Sequence, residues 1–226
     1  MTVEYSKQTI SSPNPIARFA HRTRYQLSLQ LALEHIGLEP SALLDYGCGQ
    51  GDFLKLAHQN NPHVRLVGYD PESTYKADTF QSVSSVDELA DESIDVLTSF
   101  EVLEHLYDEE RLLFYASATR LLKPDGVLLV SVPIIGGPTL LLKELNRMML
   151  FRRQSDYSLN EIIASSFFGK PARRADNPRV SHKGFDFSSV EAEISSRFEL
   201  ERLVFSPFKK LPWYFNSQVF YLARRK

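Results

Sequence analysis

The chain has 226 residues, 43% of them hydrophobic and 24% charged, with a net charge of −2 and one cysteine. That length allows one large domain, or one domain with an elaboration, and the composition is ordinary for a soluble globular protein. Near-neutral charge supplies no long-range field for a polyanion, so nucleic acid is not an expected partner. The lone Cys48 excludes an internal disulfide framework, makes a reducing compartment the default, and leaves no cysteine and histidine cluster with zinc spacing. Met1 to Gln8 is polar and lacks the apolar core of a signal peptide, so a cytoplasmic location is expected.

In chain order, residues 1–13 are polar and read as loose. Asn14-Pro15 has the form of an N-cap followed by proline in the first turn, opening a helix that runs to about His35. At helical spacing Arg18, His21, Arg22 and Tyr25 share one face, which is either a solvated surface or one that reaches an anionic group. Gly37 and Pro40 end the helix. The run from Ala42 to Leu54 then reads as a buried strand, a turn holding Gly47, Gly49 and Gly51, and the first turn of a second helix. Glycines there permit backbone angles closed to other residues and remove the Cβ atoms that would obstruct a ligand. The free N–H groups of the helix start suit an anion.

Asp52 to Gln59 is expected as that helix, with Phe53, Leu54, Leu56 and Ala57 inward. A second strand, Val64 to Tyr69, ends at Asp70, where a carboxylate can accept two ribose hydroxyls; Pro71 turns the chain away. Strand four, Ile94 to Ser99, delivers Phe100 and Glu101 to the carboxyl edge of the sheet. Leu103 and Leu106 turn inward beyond it, leaving Glu101, Glu104 and His105 for other duties. Asp108 to Leu122 is an amphipathic helix with Leu112, Leu113, Ala116 and Leu121 near one face. Lys123 to Gly126 is a turn into strand five, Val127 to Val132.

From Gly126 to Leu142 no side chain is charged, but Pro133, Gly136, Gly137 and Pro138 break the run, so it is not a spanning helix. About 134–188 departs from the core pattern, and its segment 138–153 is helical and apolar with a basic end. It is either a cap over a substrate or, in part, a peripheral membrane contact. A helix starts near Ser188, with Ser188 to Glu191 as a possible capping box. Glu199 to Pro207 and Ser217 to Ala223 read as two closing strands.

The spacing Asp45-x-Gly47-Cys48-Gly49-x-Gly51 resembles motif I of the class I S-adenosylmethionine (SAM) dependent methyltransferases. The resemblance extends through Val67 to Asp70, Asp95 to His105 and Leu121 to Leu128, four motifs in order over about 40–133. It implies an α/β, Rossmann-like, seven-stranded and mostly parallel sheet with an antiparallel C-terminal hairpin, helices on both faces and a helical cap inserted after strand five. The corresponding division is an N-terminal lid segment at 1–36, a SAM-binding core at 37–133, a cap at 134–188 and a completing helix and strand pair at 189–226.

The resemblance further implies that SAM, leaving as S-adenosylhomocysteine, is held by Asp45, Tyr46, Gly47, Cys48, Gly49 and Gly51, by Asp70 and Pro71 at the ribose, and by Phe100 and Glu101 near the methionine. Many relatives carry an aspartate for adenine on strand three; here Ser85, followed by Val86, stands in that place, with Asp87 as the competing candidate. His105 is either a structural histidine or a base near the acceptor. His182, in the stretch Ser181 to Phe187 where the chain returns from the cap, has the same two readings. No metal is required by these motifs. The expected activity is methylation of a small molecule, most simply on a hydroxyl of a sugar, a quinone-like ring or a lipid-linked metabolite. A nicotinamide-dependent oxidoreductase shares the fold but not the glycine spacing, and a SAM-binding protein without catalysis is the other alternative.

Overall fold

The structure, a computed structural model, describes residues 15–37, 41–73, 75–141, 144–145 and 155–226. Asn14, Pro40 and residues 142–143 and 146–153 of the expected apolar and basic segment lie outside the described residues, as does the side chain of His21. The elements run α1 (Pro15–Leu33), β1 (Ala42–Tyr46), α2 (Asp52–Asn60), β2 (Arg65–Tyr69), β3 (Gln81–Val83), β4 (Ile94–Phe100), α3 (Asp108–Leu121), β5 (Leu122–Pro133), α4 (Leu159–Phe167), α5 (Phe187–Arg197), β6 (Phe198–Ser206) and β7 (Gln218–Arg225). One seven-stranded sheet has the order β3-β2-β1-β4-β5-β7-β6. Its first five strands are parallel, and β7 runs antiparallel to both β5 and β6.

Both faces of the sheet are covered, and the two-residue period of the strands divides the apolar side chains between them. Leu44, Val67, Leu97, Leu128, Val130 and Tyr221 face α3 and α5, against Phe114, Tyr115, Ala118, Val190 and Ile194. Leu43, Leu66, Val96, Leu129, Phe220 and Leu222 face α1 and α2, against Leu27, Leu31, Phe53, Leu54 and Ala57.

Three local expectations are corrected. In α3 the buried side chains are Phe114, Tyr115, Ala118 and Leu121, while Leu112 and Leu113 are 56% and 66% exposed. Four consecutive apolar residues, Leu112 to Tyr115, leave the phase of the helix open, and the sheet selects the phase that seats Phe114 edge-on to Tyr46 at 5.0 Å. The N-cap of α5 is Asp186, whose carboxylate accepts from the Ser188 N–H at 2.9 Å, so no capping box begins at Ser188. Strand β5 begins at Leu122 and carries 123–126 as a bulge: Ile94 pairs with Leu122 but Val96 with Val127.

The strand order reverses at β1, which has β2 on one side and β4 on the other. Ligands of open parallel sheets bind at the carboxyl ends of the strands beside such a reversal. The glycine turn after β1 and the turn after β4 flank that crevice.

Candidate active site

The glycine turn is assembled by backbone hydrogen bonds. The N–H groups of Gly47 and Cys48 both donate to the Tyr69 carbonyl, at 2.7 and 3.1 Å, and the Gly51 N–H closes the turn onto the Cys48 carbonyl at 2.8 Å. Gly49 and Gly51 have φ of 54° and 72°, in the left-handed region. A Cβ built on Gly49 meets nothing within 4 Å, so the turn opens outward there, whereas one built on Gly51 strikes the Phe80 ring at 2.4 Å.

Asp70 sits across from Gly49. One carboxylate oxygen accepts from the Gly49 N–H and the other from the Glu72 N–H, each at 2.9 Å. Each oxygen retains a lone pair for a further donor. Below the turn Asp45, 4% exposed, accepts from the Thr98 hydroxyl at 2.8 Å. Burial pushes its carboxyl up to about 7, opposed by the Thr98 hydrogen bond and assisted by the charge of Asp70. The Cys48 thiol is pushed up to about 12, chiefly by burial, so it is not a thiolate nucleophile at neutral pH.

The remaining expected cofactor residues divide. The Tyr46 ring packs edge-on to Tyr69 and Phe114, and its hydroxyl is pushed up to about 12, mainly by burial. Pro71 is exposed in the turn after Asp70. Ser85 spends its hydroxyl as the cap of the short turn Val86–Glu88, accepting from the Asp87 N–H at 3.1 Å, and Val86 is core. Phe100 lies against Phe53 at 4.9 Å, on the α2 side of the sheet. Glu101, with φ of 58°, turns the chain out of β4 and accepts no glycine-like relief for that angle, a strained backbone of the kind that collects at functional sites. Its carboxylate lies 3.6 Å from the Arg24 guanidinium, the two side chains being 16% and 9% exposed.

The turn Leu103–His105 follows, with Leu103 and Glu104 fully buried. No hydrogen-bond partner reaches either Glu104 carboxylate oxygen among the described residues. Burial, reinforced by the neighbouring Glu101, holds its carboxyl well above the usual range. His105 meets His182 across 77 residues of sequence, Nε2 to Nε2 at 3.0 Å, with the rings 4.6 Å apart and edge-on. The Pro178 carbonyl lies 3.2 Å from His105 Nδ1. A carbonyl only accepts, so Nδ1 carries a proton, and in the neutral imidazole Nε2 presents its lone pair to His182.

The return segment is fastened where it needs to be. Arg174 donates to the Glu104 carbonyl at 2.5 Å and to the Ser181 and Lys183 carbonyls at 3.4 and 3.3 Å, which holds His182 over His105. Lys183 in turn pairs with Glu161 of α4 at 2.9 Å.

Sequence reasoning assigned no role to Arg24, Thr98, Glu104 or Arg174. Arg24 lies off the expected Arg18, Arg22 and Tyr25 face, and of these arginines it is the one buried at the site. Glu104 was set apart with Glu101 and His105 as free for other duties, but nothing in the sequence placed it in the interior, where the structure buries it. Arg174 had no local signal.

The methyltransferase-domain family model matches residues 18–160. A probable S-adenosylmethionine-dependent methyltransferase of Mycolicibacterium smegmatis is 33% identical over 100 residues, 40% of this chain and 37% of that protein. A cyclopropane mycolic acid synthase of Mycobacterium tuberculosis is 31% identical over 115 residues, 45% of this chain and 40% of that protein. The chain thus spans about two fifths of the length of these curated relatives. Among solved structures, a 1,6-didemethyltoxoflavin-N1-methyltransferase of Burkholderia thailandensis with bound S-adenosylhomocysteine superposes with a TM-score of 0.59. It is 17% identical, and the match covers 89% of this chain and 78% of that one, a likeness of fold. With the family model covering more than half of the chain, and with the glycine turn, Asp70 and the reversed last strand in place, the protein belongs to the class I SAM-dependent methyltransferase domains.

Proposed function

We propose that the protein transfers a methyl group from SAM to a hydroxyl oxygen of a small molecule. The observation that carries the oxygen acceptor is the His105–His182 pair, two imidazoles 3.0 Å apart beside the strand reversal, one with its tautomer set by Pro178. The cofactor supplies an electrophilic methyl on a positively charged sulfur, so the protein's work is alignment, exclusion of water and handling of the acceptor proton. A neutral hydroxyl is a poor nucleophile, and a positioned base raises its rate by about 10² to 10⁴.

In this reading Gly47, Gly49 and Gly51 let the cofactor approach the backbone, Asp70 accepts the ribose hydroxyls and Glu101 lies by the methionine end. Adenine rests between the Val86 backbone and the Ser85 turn. The cleft fits such a ligand on its own geometry: the turn is open at Gly49, and Asp70 has lone pairs to spare. The test is turnover of SAM with a panel of hydroxylated sugars, phenols and lipid extracts. His182→Gln should lower kcat about 10²-fold or more. Unchanged kcat would contradict the assignment.

A specific observation also favours an apolar or lipid-linked acceptor. Leu159, Ile163 and Phe167 recur every four residues on α4 and are 79%, 50% and 63% exposed, beside Phe168 at 72%. One relative is named as a cyclopropane mycolic acid synthase. No helix among the described residues is long and apolar enough to cross a membrane. Co-sedimentation with anionic vesicles should be seen, and should fall in Ile163→Lys; no co-sedimentation ends this reading, leaving an acceptor free in solution.

A further inference from the structure

We propose that Glu104, His105 and His182 hold a divalent first-row transition cation, and that its open coordination positions receive oxygen atoms of the acceptor. The ligand atoms of the three residues all lie within 4.8 Å of one another. Four-coordinate cations of this class take ligands at about 2.0–2.2 Å, which sets neighbouring ligand atoms a little over 3 Å apart and calls for small side-chain shifts only. Two imidazoles and one carboxylate form the donor set of catalytic zinc sites and of open iron sites, in which the remaining positions take water or substrate.

Four features favour a cation here over a merely packed cluster. Glu104 is fully buried, and neither of its carboxylate oxygens has a hydrogen-bond partner among the described residues. A carboxylate so placed lacks any partner for its charge, and nearby Glu101 is already engaged by Arg24. His105 donates from Nδ1 to a backbone carbonyl, the arrangement that fixes a metal-ligating imidazole and raises the basicity of its other nitrogen. That other nitrogen points at a second imidazole nitrogen, and two such nitrogens 3.0 Å apart must share a proton or a cation. Arg174 holds the Glu104 backbone and the His182 segment together, so the third ligand is brought in by the fold and not by the ligand.

The use of the cation rests on the methyl-transfer reading; its binding does not. With a hydroxyl oxygen in an open position, its proton leaves to water at a lower pH than in solution. The oxygen lone pair then forms the bond to the methyl carbon as the carbon–sulfur bond breaks, and that electron pair stays on sulfur, which becomes a neutral thioether. His105 and His182 act as ligands in this scheme, in place of accepting the proton directly, and an acceptor bearing two adjacent oxygens, which fills the fourth position and expands the site to five-coordinate, is favoured over one with a single hydroxyl.

The experiment is calorimetric titration of chelator-stripped protein with Zn²⁺ and with Mn²⁺, Mn²⁺ also followed by electron paramagnetic resonance, alongside titration with S-adenosylhomocysteine. One cation per chain should bind, about tenfold or more weakly in Glu104→Gln and in His182→Gln, with S-adenosylhomocysteine affinity held within about twofold in both. His182 is on a half-buried return segment, so that variant keeps the test sound if Glu104→Gln folds poorly. No stoichiometric cation, or affinity unchanged in both variants, would overturn the proposal and leave a proton-sharing histidine pair. Loss of S-adenosylhomocysteine binding in the unaltered protein, with the cation still bound, would instead overturn the methyl-transfer reading.

Discussion

Two neighbouring glycines, changed one at a time to alanine, separate the fold of the turn from its use. At Gly51 the backbone has φ of 72°, and a left-handed alanine costs about 1–2 kcal/mol. Its new methyl would also stand 2.4 Å from two carbons of the Phe80 ring. Ordinary carbon contacts are about 3.5–4.0 Å, so the ring must retreat by about 1 Å or more. Phe80 is 7% exposed, and overpacking a closed core adds about 1–3 kcal/mol. Gly51→Ala should therefore lose about 2–5 kcal/mol of unfolding free energy in urea.

At Gly49 the angle is 54° and the methyl meets nothing within 4 Å, so only the backbone term of about 1–2 kcal/mol applies. Titration with S-adenosylhomocysteine should reverse the order, because the open side of Gly49 is where the ligand must come. Gly51→Ala combined with Phe80→Leu should recover part of the loss. Equal stability of the two single variants, or no recovery in the double variant, would refute the reasoning.

Other expectations follow from single features. Asp45 titrates near 7 in the fold against 3.8 for a free carboxyl, so the folded state keeps a proton that the unfolded chain has lost between those values. Stability should then fall as pH rises through that window, by up to about 4 kcal/mol, and Asp45→Asn should flatten the dependence in urea melts at pH 5 and 8; parallel curves would contradict it. Arg24→Gln should cost about 1–2 kcal/mol, and the double change with Glu101→Gln should cost less than the sum by about 1 kcal/mol, which a double-mutant cycle measures. Leu113→Lys should change stability by no more than about 0.5 kcal/mol, whereas Phe114→Ala should cost about 3–5 kcal/mol, since one is exposed and the other wholly buried.

Much of the fold was legible because its signals are local. The strand-turn-helix around Gly47 to Gly51 announces itself through glycine spacing, and Asp70 through its place at the end of an apolar run. The closing strands were placed to within two residues at their ends, because β-branched and aromatic residues bounded by turn residues read clearly. The phase of α3 was not legible, since Leu112 to Tyr115 satisfies more than one helical face and only the sheet decides among them. Nor was the bulge at 123–126, where proline and glycine read equally well as a turn. At the site, His105 and His182 were each visible as candidates, but their meeting depends on Arg174 fastening a segment some seventy residues distant to the Glu104 carbonyl. Local patterns carry no record of such a contact. Glu104 went unassigned for the same reason, as its isolation is a property of the packed interior.

The central claim is that the crevice at the β1 and β4 ends holds SAM. Calorimetric titration of the purified protein with S-adenosylhomocysteine, beside NAD as control, tests it most directly. The account predicts one site per chain in the ~μM range for the former, no heat for NAD, and loss of binding in Gly49→Arg, which fills the open side of the turn. Binding of NAD in its place, or S-adenosylhomocysteine bound equally well by Gly49→Arg, would contradict it.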